Sequence, residues 1–119
     1  MSKEIMVVDD ARFMRVTLGN MLEKLGYKIV AEAENGKEAV SKYKEVKPDI
    51  VTMDVTMPKM DGIEAVNKIT NYDKDATIIM CSAMGQKEMV LDAMEKGAKD
   101  FIVKPFDKDR VEKSLNNIY

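Results

Sequence analysis

Four short, uninterrupted apolar runs, set apart by stretches of helical period, leave few architectures open to this chain. The runs are Ile5-Met6-Val7-Val8, Ile50-Val51-Thr52-Met53, Ile78-Ile79-Met80-Cys81 and Phe101-Ile102-Val103. None alternates apolar with polar, so each reads as a strand covered on both faces. A fifth segment, residues 27–33, carries Lys28 and Glu32 and suits an exposed edge strand.

Helical patterns fill the intervals. Over residues 11–25, Met14, Leu18, Met21, Leu22 and Leu25 share one face, and Gly26 is placed to end the helix. Ala39, Val40, Tyr43 and Val46 form a second apolar face, and Ile63, Val66 and Ile69 a third. Val90 with Met94, then Val111, Leu115 and Ile118, mark two more. Asn35 with Glu38, and Asp61 with Glu64, have the spacing of a helix cap and its partner three residues on. Pro48 stops the second helix before the third strand. Strand and helix therefore alternate five times, the signature of an α/β, doubly wound (βα)5 domain with a parallel sheet. The expected strand order, 2-1-3-4-5, is taken from flavodoxin-like folds rather than derived from the residues. The eleven methionines fall mostly on these faces and read as core filler. No linker, repeat or second domain is evident, so residues 1–119 are expected to form a single domain without an output domain.

Composition narrows the chemistry. The net charge of -2 offers no basic surface for nucleic acid. No apolar run approaches the roughly 18 residues of a membrane span, and the N-terminus lacks a signal-peptide core, so a cytoplasmic protein is expected. The chain has no histidine and one cysteine, Cys81. That excludes Ser-His-Asp or Cys-His nucleophile pairs, His-ligated metal, an intramolecular disulfide and Cys-based zinc clusters. A metal here must be held by oxygen.

Three carboxylates stand at strand ends, Asp9 and Asp10 after the first run and Asp54 after the third. In the expected order these strands are neighbours and the acids converge at the carboxyl edge. Two unit charges about 4 Å apart repel by roughly 4 kcal/mol at an effective dielectric of 20. Protonation or a cation must offset that, and a hard oxygen site selects Mg²⁺. Asp10 could instead only cap the first helix. Asp54 as a nucleophile would attack a phosphoryl group and form an acyl phosphate. Lys104, at the end of the fifth strand, and Ser82, at the end of the fourth, lie at the same edge as a cation and a hydroxyl donor for the phosphoryl oxygens.

These residues resemble the receiver domains of two-component response regulators, over essentially the whole chain and most closely in the stand-alone, CheY-type chemotaxis form. The matching stretches are Val7-Val8-Asp9-Asp10, Asp54-Val55-Thr56-Met57-Pro58-Lys59-Met60-Asp61-Gly62, Cys81-Ser82-Ala83-Met84 and Lys104-Pro105-Phe106. The resemblance implies a phosphoprotein that accepts phosphate on Asp54 from the phosphohistidine of a sensor histidine kinase. It implies Mg²⁺ on Asp10, Asp54 and the Thr56 backbone carbonyl, with Asp9 acting largely through water. Lys104 would pair with Asp54 and then with the phosphoryl group, aimed inward by a cis bond to Pro105. Ser82 would swing in to meet a phosphoryl oxygen, Phe101 would fill the space behind it, and Thr56 and Met84 would tune the lifetime of the acyl phosphate. Serine stands where threonine is common, and Phe101 stands where chemotaxis regulators often have tyrosine, which removes a phenol hydroxyl from partner recognition.

The implied output is a change in the face of the fourth helix, fifth strand and fifth helix, including residues among Lys87, Val90, Asp92, Lys99 and Arg110. A motility switch or adaptor protein, and a phosphatase, are the expected partners of a monomer. A phosphorelay intermediate that passes phosphate to another histidine protein is the alternative. The chain would catalyse only its own phosphorylation and dephosphorylation. A haloacid-dehalogenase-type hydrolase needs an acid where Thr56 stands, and a flavin carrier needs a phosphate-binding loop where Asp9-Asp10-Ala11-Arg12 would repel the ligand.

Overall fold

The five parallel strands are staggered by the order in which the chain lays them down, and that order places the site. A computed structural model describes residues 3–118. The elements are β1 (Glu4–Val8), α1 (Arg12–Lys24), β2 (Lys28–Ala33), α2 (Gly36–Val46), β3 (Ile50–Asp54), α3 (Gly62–Tyr72), β4 (Ile78–Ser82), α4 (Lys87–Glu95), β5 (Asp100–Val103) and α5 (Lys108–Ile118). All four strand pairings are parallel, and the order across the sheet is β2-β1-β3-β4-β5. The (βα)5 flavodoxin-like architecture expected from the apolar runs is the one observed.

Strand side chains alternate between two cores. Ile5, Val7, Ile50, Ile79 and Ile102 face Leu18 and Leu22 of α1 and Val111 and Leu115 of α5. Met6, Val8, Val51, Met53, Ile78 and Met80 face Ala39 and Tyr43 of α2, Ala65, Val66 and Ile69 of α3, and Val90 and Ala93 of α4. Each fully buried aliphatic side chain contributes about 1.5–3 kcal/mol relative to exposure. The caps are where their spacing puts them. The Asn35 side chain accepts the Glu38 N–H at 2.9 Å, and Asp61 accepts that of Glu64 at 2.9 Å. Gly26 follows α1 at φ +95, and α2 stops at Val46 ahead of Pro48.

One expectation needs correction. The β5 run is covered on one face only, because β5 is the outer strand of the sheet. Ile102 is buried, whereas Phe101 and Val103 are 37% and 41% exposed. The described methionines fall mostly on covered faces, as expected: Met6, Met53 and Met80 are fully buried, and the exposed ones are Met84, in the turn before α4, and Met89, on α4.

Candidate functional site

The ends of β1, β3, β4 and β5 meet at the carboxyl edge of the sheet. Asp9, Asp10 and Asp54 each present a carboxylate oxygen, and these oxygens lie within 4.8 Å of one another. Asp9 and Asp54 are buried, while Asp10 is exposed. Lys104 Nζ donates to Asp9 Oδ2 at 2.8 Å and to Asp54 Oδ1 at 3.2 Å. The Lys104-Pro105 peptide is cis, as expected. Asp10 does not cap α1: the residue before the helix is Ala11, which makes no side-chain cap, and its N–H donates instead to Asp9 Oδ1 at 2.9 Å.

The charges are strained by proximity. Burial, then the neighbouring Asp9 charge, pushes the Asp54 carboxyl up from 3.8 to about 6, against the pull of Lys104. Burial works against the Lys104 charge, but its pairing with Asp9 and Asp54 prevails and the ammonium is held above its ordinary value. One cation thus serves two of the three carboxylates, and Asp10 is left without it. All the donors that converge here are oxygens, so the cluster suits a hard divalent ion of the Mg²⁺ type.

The phosphoacceptor candidate is fixed from behind by α3. A Cβ on Gly62 would lie 1.9 Å from the Asp54 carbonyl oxygen, so only glycine lets the helix start there. The Gly62 N–H also donates to the Val55 carbonyl at 2.8 Å. Cys81 pairs in register with Asp54 from β4, fully buried, with its thiol pushed up to about 12 by burial.

The remaining residues singled out from sequence fall into two groups. Ser82 is buried at the end of β4, and its carbonyl accepts the Lys104 N–H at 2.7 Å, which joins hydroxyl donor and cation in one ladder. Thr56 is exposed in the loop after Asp54. Met84 is 86% exposed, and Phe101 points outward beside it, so neither touches the carboxylates. Phe101 is held at its backbone: its N–H donates to Asp100 Oδ1 and its carbonyl accepts from Arg110 Nη2 at 3.0 Å. Two residues that carry the site gave no separate signal in the sequence. Arg15 donates to the Asp9 carbonyl at 2.7 Å, and the Gln86 side chain accepts the Ala83 N–H at 2.7 Å and so shapes the loop after Ser82. An arginine on a helix and a glutamine in a loop have no spacing rule to mark them.

Known proteins share this arrangement. The family model of the response regulator receiver domain matches residues 5–116. The chain is 57% identical over 118 residues to the chemotaxis protein CheY of Thermotoga maritima, covering 99% of this chain and 98% of that one. It is 60% identical over 116 residues to the chemotaxis protein CheY of Bacillus subtilis, covering 98% and 97%. A crystal structure of the CheX–CheY–BeF3–Mg complex from Borrelia burgdorferi aligns at a TM-score of 0.93 and 42% identity, covering 98% of this chain and 88% of that one. On its residues, its strand order and these matches, the chain belongs to the response regulator receiver domain family and is of the CheY type.

Proposed function

We propose that this receiver is a phosphorylation-activated switch in which Asp54 takes a phosphoryl group from the phosphohistidine of a sensor kinase. The observation that carries the reading is Lys104 Nζ bridging Asp9 and Asp54 beside the free carboxylate of Asp10. A carboxylate oxygen of Asp54 attacks phosphorus, the O–P bond forms as the P–N bond breaks, and the donor departs as neutral imidazole. The chain has no histidine, so the donor is another protein. Asp10, Asp54 and the Thr56 carbonyl would hold Mg²⁺, with Asp9 acting largely through water. Bound there, the ion supplies positive charge against the carboxylates and the transferring group.

Lys104 pairs with the carboxylate before transfer and with a phosphoryl oxygen after it. The Ser82 hydroxyl moves to a second oxygen and draws the following loop with it. Phe101 then turns toward the space that is left, and the face of α4, β5 and α5 changes. Phosphate shifts this equilibrium only by its differential contacts with the two states, typically about 1–3 kcal/mol. Thr56 and Met84, exposed on either side of the site, tune access of water to the acyl phosphate.

The near-full-length likeness to chemotaxis proteins supports a motility switch or adaptor as the output partner. The CheX–CheY complex of the Borrelia relative supports a further regulatory protein, which we assign as a phosphatase. No helix of the described residues is long and apolar enough to cross a membrane. On the likeness to CheY proteins, we place its action, as a monomer, in the cytoplasm. Labelling with radioactive acetyl phosphate and Mg²⁺ tests the core of the reading. Asp54→Asn is expected to abolish incorporation, and undiminished labelling would place the acceptor elsewhere.

A further inference from the structure

Every polar atom of Asp9 is engaged. Its N–H donates to the Ala33 carbonyl at 3.1 Å, and its carbonyl accepts from Arg15 Nη1 at 2.7 Å. Its Oδ1 accepts from Ala11 N–H at 2.9 Å and its Oδ2 from Lys104 Nζ at 2.8 Å. Asp10 is the opposite, since its exposed carboxylate has no hydrogen-bond partner among the described residues. The two are joined by a planar peptide. A bond that fixes the Asp9 oxygen therefore fixes the plane that carries the Asp10 nitrogen and Cα, and with it the point from which the Asp10 side chain leaves.

Arg15 is built for that task. Its side chain is only 12% exposed, and its Nε donates to Glu32 Oε1 on β2 at 3.0 Å while Nη1 holds Asp9. Glu32 is tethered in turn, its carbonyl accepting from Lys42 Nζ of α2. The planar guanidinium fork satisfies two fixed acceptors at once, which an ammonium, as a point charge, does not reproduce. The bond to the Asp9 carbonyl is charge-assisted and short.

We propose that Arg15 is a positioning residue for Asp10: anchored on Glu32, it sets the Asp9–Asp10 peptide so that the unpartnered Asp10 carboxylate faces Asp54. This rests on the reading of the three acids as a Mg²⁺ site. Groups behind metal ligands typically alter affinity by about 10–100-fold when removed. Arg15 also brings a positive charge near the acids, whose repulsion of Mg²⁺ opposes its alignment of the site; salt separates the two effects, because repulsion is screened and alignment is not.

The experiment is calorimetric titration of the metal-free protein with Mg²⁺ at low and high KCl, paired with amide NMR spectra of the same metal-free samples. Arg15→Gln is expected to weaken Mg²⁺ binding about tenfold at high KCl, and less at low KCl where loss of the repelling charge offsets part of the deficit, and to shift the Asp10 amide resonance before metal is added. Arg15→Lys, which keeps the charge, is expected to recover only part of the affinity. Glu32→Gln, at a half-exposed side chain, is expected to give a smaller loss in the same direction. Wild-type or tighter Mg²⁺ binding in Arg15→Gln at high KCl, where the charge is screened, or full recovery in Arg15→Lys would each overturn the proposal. Should Arg15→Gln not fold, unchanged affinity and an unmoved Asp10 amide in Glu32→Gln overturn it alone. Asp10→Ala keeps the two readings apart: retained Mg²⁺ binding there defeats the metal site itself, whereas lost binding there with none lost at Arg15 defeats only the positioning role.

Discussion

The acidic edge and the α4–β5 face of this receiver are built on opposite principles. At the acidic edge Asp9 is bonded through all its polar atoms, Lys104 is held between two carboxylates, and Gly62 presses α3 against the Asp54 carbonyl. Across the α4–β5 face, Met84, Leu91, Phe101 and Val103 stand exposed around a groove of about 560 Å³ that Val90 also lines. Such a patch marks a surface made for contact. The two regions touch through one strand pair, where Ser82 lies beside Val103 and accepts the Lys104 N–H. The rigid edge and the exposed face thus meet along β4 and β5, and in the proposed switch a displacement at the carboxylates would be read across that pair.

That contrast can be broken at either end. The largest effect is expected from Lys104→Ala, which removes the one cation that spans the acids. Mg²⁺ should still bind, but the beryllofluoride-induced shifts of α4 and β5 amides in NMR spectra should disappear, and a normal response would detach Lys104 from the switch. Gly62→Ala should cost about 3 kcal/mol in urea unfolding, since the added methyl meets backbone rather than a side chain that can move. An unfolding midpoint within error of wild type would show that α3 is free to retreat.

The charge at the acidic edge gives a smaller, pH-dependent effect. With its carboxyl moved from 3.8 to about 6, native Asp54 keeps a proton that the unfolded chain has already lost in this range. Its contribution to stability is therefore full below about pH 4 and lost as pH rises through 6, by at most ~3 kcal/mol. In the presence of chelator, Asp54→Asn should match wild type in thermal melts near pH 4 and exceed it by several degrees at pH 7.5. A difference that stays flat with pH would remove the strain from the site. At the loose end, Leu91→Ser should change stability by no more than about 0.5 kcal/mol, because the side chain is 54% exposed. A much larger loss would mean that the face is packed more tightly than its exposure indicates.

The residues announced the fold almost completely, because strand, cap and stop signals agree with one another over the whole chain. The Asn35 and Asp61 caps, the Gly26 stop and the four apolar runs each point to the element observed. The error at β5 has a physical source. An apolar run records what a strand is made of, and only the neighbouring strands and helices decide how many of its faces are covered. Phe101 and Val103 are apolar and exposed because nothing follows β5 in the sheet, and Met84 and Met89 stand exposed in the turn before α4 and on α4 itself. The acids and Lys104 were legible as strand-end residues, and their convergence follows once the order is known. Arg15 was not, since its importance lies in a bond to a backbone oxygen six residues earlier, and no side-chain pattern encodes that.

The buried thiol next to Asp54 gives the molecule a built-in reporter. Cys81 is the chain's one sulfhydryl, and with full burial and an ionisation displaced to about 12 it stays protonated and out of reach while β4 is in place. A thiol-reactive dye therefore clocks the opening of the strand at the heart of the sheet, residue-specific and without an engineered probe. The same seclusion keeps oxidants in the surrounding medium away from the strand that lies beside Asp54.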